Sequence, residues 1–341
     1  MSLKQRVGQL FLLGLANDQL GTDEAQAIRT HHFGSVWFIA TTTEGSAAVR
    51  AVAEQVQNQA TARSTGRVRF FVAANQEGGL IQALRGPGFS TIPSAVVQGT
   101  MSPSTLRAEA TDWARELSAA GVNMNFAPVM DVVPAGTESQ NQPIGALQRE
   151  YGHNPATVSS HGSAFLKGMA GARVATSAKH FPGLGRVVGN TDVSAGVVDS
   201  VTTPGDPYLA PFRKAIKDRV PFVMVALATY TKIDPDHLAV FSPTVINLLR
   251  DQLGFDGVVL SDDLGETKAV ADVAPSDRAI DFLEAGGNMI ISKTLDPAVA
   301  MADALVSKAK SDSSFRALVN DAALRVLKAK ESFGLLPCSG D

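Results

Sequence analysis

Two adjacent carboxylates, Asp262 and Asp263, stand where the apolar run GVVL stops in the segment LGFDGVVLSDDL. A carboxylate at the end of a buried strand is rigidly aimed, which suits a nucleophile or an acid/base. Neighbouring strand side chains point to opposite faces, so Asp262 reads as the group facing a pocket and Asp263 as a support that holds backbone donors. Other polar residues at the ends of apolar runs complete the set: Asn75, Gln76 and Glu77 in NQEGG, Asp131 in APVMDV, Lys179 and His180 in SAKHF, and Asp192 on the loop that follows. A lysine head buried alone is costly, so Lys179 with His180 reads as a ligand-gripping pair. Asp131 reads equally well as a loop cap. Glu77, just before Gly78-Gly79, reads as a turn pin ahead of any catalytic part.

This set is rich in carboxylates and poor in metal ligands. The six histidines are scattered apart from His31-His32, and no HExxH or paired Cys/His spacing occurs. No catalytic metal or other cofactor is therefore expected. The glycines of GLGRVVG, Gly183 to Gly189, resemble a phosphate cradle only superficially, lacking both GxGxxG spacing and a Walker lysine-hydroxyl pair.

The elements that must position these groups alternate short apolar runs with longer helical patterns. Eight strand candidates are read: Gly8–Leu15, Ser35–Ala40, Val68–Asn75, Val122–Val132, Val174–Phe181, Phe222–Thr229, Gly257–Asp263 and Asn288–Ser292. Eight such units predict an α/β fold, a (β/α)8 TIM-type barrel. Ser102-Pro103 predicts a helix start, Leu106, Ala110, Trp113 and Leu117 its buried stripe, and Gly121 its end; Ser276 similarly opens a helix that Gly286-Gly287 closes. No linker or low-complexity tract divides the chain, so residues 1–341 are expected to form one domain.

A chain of 341 residues, 45% hydrophobic, with 30 Gly and 17 Pro, has material for a large core. Its net charge of −3 and lack of any Lys/Arg run provide no footprint for nucleic acid, and no apolar stretch approaches the ~18 residues of a membrane helix. A small or uncharged ligand is expected. The single cysteine, Cys338, excludes an intramolecular disulfide framework and says little of redox compartment. Met1–Leu3 leads straight into the first strand candidate without a signal-peptide pattern, so cytoplasm and export, with a leader upstream of this sequence, both stay open, as does the oligomeric state.

Four separated motifs in order, NQEGG (75–79), NFAPVMDV (125–132), AKHFPGLG (178–185) and LGFDGVVLSDDL (253–264), with RVLKAKESFGLL near the end, resemble the N-terminal barrel of the family 3 glycoside hydrolases. Within that family the chain is most similar to single-domain bacterial β-N-acetylglucosaminidases that trim cell-wall fragments. The eight units occupy the chain, leaving no room for the second domain of many family β-glucosidases. The resemblance implies that Asp262 is the nucleophile of a retaining, covalent mechanism, and that Lys179 and His180 grip sugar hydroxyls. It also implies that Asn75 stands where the family's DQEGG motif has an acid, and that Arg149 in IGALQREYG matches a sugar-binding arginine across about two extra residues.

The departures fall on the proton donor. The family's KHFPGHGDT followed by D-S-H carries an Asp-His acid/base dyad on a mobile loop; here the stretch reads KHFPGLGRVVGNTD, with Leu184, Arg186, Asn190 and Asp192 in place of His, Asp, Asp and His. Leu227 and Glu266 replace the family's usual His and Met. In a first reading Asp192 donates the proton, with Asp199 a weaker candidate, which requires a raised pKa and a loop closed further over the substrate than a histidine would need. In a second, the chain is a sugar binder or weak hydrolase without efficient protonation; a third, a Schiff-base aldolase on Lys179, leaves the SDDL segment unexplained. Specificity for a 2-acetamido or a plain 2-hydroxy sugar, and water or phosphate as acceptor, stay open.

Overall fold

A computed structural model of the chain describes residues 1–337. Eight parallel strands close into a barrel: β1 (Phe11–Leu15), β2 (Ser35–Phe38), β3 (Phe71–Ala74), β4 (Met124–Asn125), β5 (Ala175–Phe181), β6 (Phe222–Val225), β7 (Val258–Asp263) and β8 (Met289–Ser292). Each pairs with the next, and β8 with β1. The (β/α)8 barrel read from the sequence is thus the fold. Its strands are almost wholly buried on both faces, as parallel strands covered by helices must be, so they read as unbroken apolar runs. Long helices, Pro103–Ala119, Pro155–Gly171 and Leu295–Ser311 among them, turn one apolar stripe onto the sheet.

Every strand candidate contains a barrel strand, with shifted ends. The run from Gly8 fails as strand at its start because Ser2 and Gln5 exchange side-chain hydrogen bonds with each other's backbone amides, capping a helix over Leu3–Gly8. Gly8 ends that helix against the carbonyl of His32, which an added Cβ would approach to 2.0 Å. In the Val122–Val132 run only Met124–Asn125 is regular strand, since Pro128 has no N–H to give the ladder. The chain still follows β5, with Ser177 N donating to Ala127 O and Met130 N to Lys179 O. The Phe222 run stops at Val225, and Thr229–Tyr230 joins Val198–Asp199 and Asp234–Leu238 in a separate three-stranded sheet. Ser102 caps its helix as read, accepting from Thr105 N. Ser276 does not: the helix runs Pro275–Glu284 from Ala274, with proline in the first turn. Cys338 lies outside the described residues.

The last helix, Ser313–Ser332, ends beside the residues that lead into β1 and β2, at the amino-terminal end of the barrel. From it the fully buried Lys330 reaches inward, Nζ donating to Gln9 Oε1 at 2.8 Å and to Gly34 O at 2.6 Å. Among the described residues no carboxylate pairs with it, and burial lowers its pKa to about 7. In the unfolded chain a lysine titrates near ~10.4, so between the two values the unfolded state holds more protons. The contribution of Lys330 to stability is therefore least below pH 7 and rises with pH above it. Urea unfolding at pH 6 and pH 9 is expected to show this rise in the wild type, and Lys330→Met to flatten it and to be the more stable of the two at pH 6; an unchanged pH slope in the variant contradicts the assignment.

Candidate active site

The carboxyl ends of the strands surround a cavity of about 410 Å³. Register places the groups: Lys179 on β5 is level with Met224 on β6, and Leu260 on β7 with the same Met224, so these side chains share the inward face and Asp262, two beyond Leu260, continues it. Lys179, His180, Arg149, Asn75, Asp192 and Asp262 all line the cavity, with Trp37, Phe126, Met224 and Ile291 as its apolar parts.

The neighbouring acids divide as read, for an additional reason. Between the pairs Leu260–Met289 and Asp263–Ile291, two residues of β7, Ser261 and Asp262, oppose one of β8, Ile290, a bulge beside which both acids reach the mouth. Asp263 turns back, accepting from the amides of Gly265 at 2.9 Å, Lys293 at 2.7 Å and Glu266 at 3.1 Å. Burial raises its pKa, and those three donors pull against it. Among the described residues Asp262 accepts only from the Asp263 amide, at 2.8 Å, and is half-buried.

On the opposite wall lies a group of charges that the sequence did not suggest as a group. Glu77 is buried and does not pin the turn; its carboxylate takes Lys179 Nζ at 2.6 Å and grips Arg149 in a two-pronged pair, Nε at 2.9 Å and Nη2 at 2.8 Å. Burial, the largest influence, opposes its ionisation, yet Arg149 and Lys179 overcome it and take its pKa down to about 2. Lys179 also donates to Asn75 Oδ1 at 2.9 Å. Its pKa is lowered by burial first, against the pull of Glu77. The four residues that precede Arg149, a short turn at Gly145–Leu147 and then Gln148 with φ 57°, set the guanidinium against the cavity.

Asp131, read as a group that touches ligand or caps a loop, does not line the cavity. It is fully buried and accepts from His180 Nδ1 at 2.7 Å and from the amides of His180 and Leu184. It therefore orients His180 rather than meeting a ligand. Asp199, too, is buried elsewhere: Val201 N, Thr202 N and Thr202 Oγ1 occupy its carboxylate. Leu227 is fully buried outside the cavity, whereas Glu266 is at its rim, paired with Lys293 at 2.9 Å. In GLGRVVG, Gly185 serves close packing, since a Cβ there would come 1.9 Å from the Val132 carbonyl. Among the described residues no group of three His, Cys, Asp or Glu is arranged to hold a metal.

Asp192 stands on the loop from 183 to 193. Its outer edge is exposed, but the surrounding wall and then the Asp262 carboxylate raise its pKa, while Arg149, His180 and Lys179 pull it down. Two carboxylates on one cavity, one of them held towards its protonated form, can serve as nucleophile and proton donor.

Residues 2–329 match the glycosyl hydrolase family 3 N terminal domain. The chain belongs to glycosyl hydrolase family 3. A crystal structure of a beta-N-acetylhexosaminidase from Beutenbergia cavernae superposes with a TM-score of 0.95 at 47% identity, covering 97% of this chain and 99% of that one. The beta-hexosaminidase LpqI of Mycobacterium tuberculosis is 30% identical over 344 residues, 97% of this chain and 83% of its own. A beta-hexosaminidase of Vibrio cholerae is 34% identical over 232 residues, 67% of each chain. In this family 3 hydrolase the cavity cations Lys179 and Arg149 thus rest on one shared carboxylate, Glu77. Glu77→Gln strands Lys179 and Arg149 as buried charges without a partner, at an expected cost of about 3 kcal/mol in chemical denaturation. Since the folded pKa of Glu77 lies below that of an unfolded glutamate, its contribution is present above pH ~4 and lost as pH falls towards about 2. Equal stability of variant and wild type at pH 7 contradicts this.

Proposed function

We propose that this family 3 hydrolase is an exo-acting, retaining β-N-acetylglucosaminidase of one barrel domain, residues 1–341, acting on GlcNAc β-glycosides, cell-wall fragments among them. The observation that carries the reading is that Asp262 and Asp192 line one cavity, near enough for the Asp262 charge to raise the Asp192 pKa, together with Lys179, His180, Arg149 and Asn75. The names of the similar hexosaminidases favour the acetamido sugar.

In the first step Asp262 attacks the anomeric carbon while the bond to the leaving oxygen breaks and that oxygen takes the proton of Asp192. The product is a glycosyl ester of Asp262 and a free alcohol. In the second, the Asp192 carboxylate takes a proton from water, whose oxygen displaces Asp262 at the same carbon, and two inversions leave the β configuration. Lys179, held by Glu77 and Asn75, and His180, held by Asp131, present donors to the sugar hydroxyls, and Asp263 keeps β7 and β8 fixed behind the nucleophile. A pure sugar binder has no use for a half-buried carboxylate beneath the anomeric carbon, and a glucosidase specificity has no observation in its favour.

Hydrolysis of aryl N-acetyl-β-glucosaminides tests this. Asp262→Ala is expected to fall to background; a wild type no faster than Asp262→Ala overturns the enzyme reading. Asp192→Asn is expected to lose ~10²–10⁴-fold in kcat/KM with a poor leaving group and far less with a dinitrophenyl group, which needs no proton. Because Asp192 donates only while protonated, kcat/KM for the poor leaving group falls as pH rises through its raised pKa, and this limb vanishes for the dinitrophenyl substrate. Full activity of Asp192→Asn on both substrates assigns the proton to another group.

A further inference from the structure

The loop that carries Asp192 is tied down along its length. Near its start Leu184 N donates to Asp131 and Tyr230 OH donates to Gly183 O at 2.8 Å. Asn141 Nδ2 donates to the carbonyls of Leu184 and Val187, both at 2.7 Å. At its end Lys268 N donates to Asp192 O and Ala269 N to Thr191 O, each at 3.1 Å. In its middle Gln142 N donates to Val188 O at 3.2 Å, and Arg186 ties the loop to the following segment: its Nη1 pairs with Asp206 Oδ2 at 2.6 Å and donates to Thr202 Oγ1 at 3.2 Å, and its guanidinium lies 3.7 Å from the centre of the Tyr208 ring. The anchor is itself fixed, since Asp206 accepts from Tyr208 N at 2.8 Å and Thr202 is bound to Asp199. With Arg186 15% and Asp206 8% exposed, this is a largely desolvated pair with a stacked ring, not a surface contact.

An aspartate is shorter than a histidine, so a proton donor of this type reaches a leaving oxygen only from a backbone held close to it. We propose that Arg186 is a positioning residue: clamped between Asp206 and Tyr208, it holds the loop in place so that Asp192 meets the leaving oxygen without any closing movement. The proposal rests on Asp192 as the proton donor. Arg186 does not line the cavity and acts through the backbone of residues 187–191. A residue that merely stabilises the fold would affect every substrate alike; a clamp on the donor affects substrates in proportion to their need for a proton.

The test compares kcat/KM for an alkyl and a dinitrophenyl N-acetyl-β-glucosaminide in Arg186→Ala, Arg186→Lys and Asp206→Asn, with Asp192→Asn beside them. Arg186→Ala is expected to lose at least ~10-fold on the alkyl substrate and less than ~3-fold on the dinitrophenyl one, with Arg186→Lys between it and wild type because lysine keeps the charge but not the flat stack. Asp206→Asn gives the same selectivity more weakly and serves if Arg186→Ala does not fold. Equal losses on the two substrates, or wild-type behaviour, overturn the clamp. If Asp192→Asn is selective and the Arg186 and Asp206 variants are not, the clamp is wrong and the donor stands; if none is selective, the donor lies elsewhere and the clamp falls with it.

Discussion

Two cations at the mouth of a barrel, away from bulk water, are tolerable only with a carboxylate between them, and Glu77 is that carboxylate. Holding Lys179 at 2.6 Å and Arg149 by both prongs, it turns what would be a costly pair of buried charges into a fixed wall of donors. The rest of the site follows by contact. Arg149 Nη2 lies 3.5 Å from His180 Nε2, His180 Nδ1 is bound to Asp131, and Asp131 also takes the amide of Leu184, the start of the loop that ends at Asp192. A line of polar contacts thus joins the cationic wall of the cavity to the start of the loop that carries Asp192.

The same balance of charge bears on the two carboxylates across the cavity. Asp262 sits on rigid strand with one backbone donor, where a nucleophile must be aimed and ionised. Asp192 sits on a loop, near enough to Asp262 for that charge to favour its protonated form, yet near enough to Lys179, His180 and Arg149 to remain titratable. Two acids of one chemical type acquire different parts from their surroundings. Loss of the family's histidine is in this way compatible with catalysis, provided the loop is held where a shorter side chain suffices.

Much of this was legible in the residues. Apolar runs, several of them ending in polar groups, located all eight strands, because parallel strands covered on both faces are apolar along most of their length. The same endings marked Asn75, Lys179, His180 and Asp262 as cavity groups. What escaped were relations set by tertiary contact. Glu77 looked like a turn residue because its partners are 72 and 102 positions away, although two cations at strand ends in need of an anion were a usable signal. Asp131 lies at the end of a run like the others, but the irregular chain around Pro128 turns it behind His180. Asp199 satisfies its own neighbouring amides, a local turn that strand periodicity does not reveal. The cap formed by Ser2 and Gln5 was overlooked because the apolar run that follows drew the first strand too early.

The central claim is that Asp262 carries the sugar and Asp192 works at the departing and entering oxygens. The most direct measurement is mass spectrometry of peptides from Asp192→Asn quenched in acid during turnover of a dinitrophenyl N-acetyl-β-glucosaminide. There the first step needs no acid and the second lacks its base, so the glycosyl-enzyme should accumulate, with one N-acetylglucosaminyl residue on the peptide at Asp262. A label on another residue, or steady turnover with no labelled protein, would contradict the account.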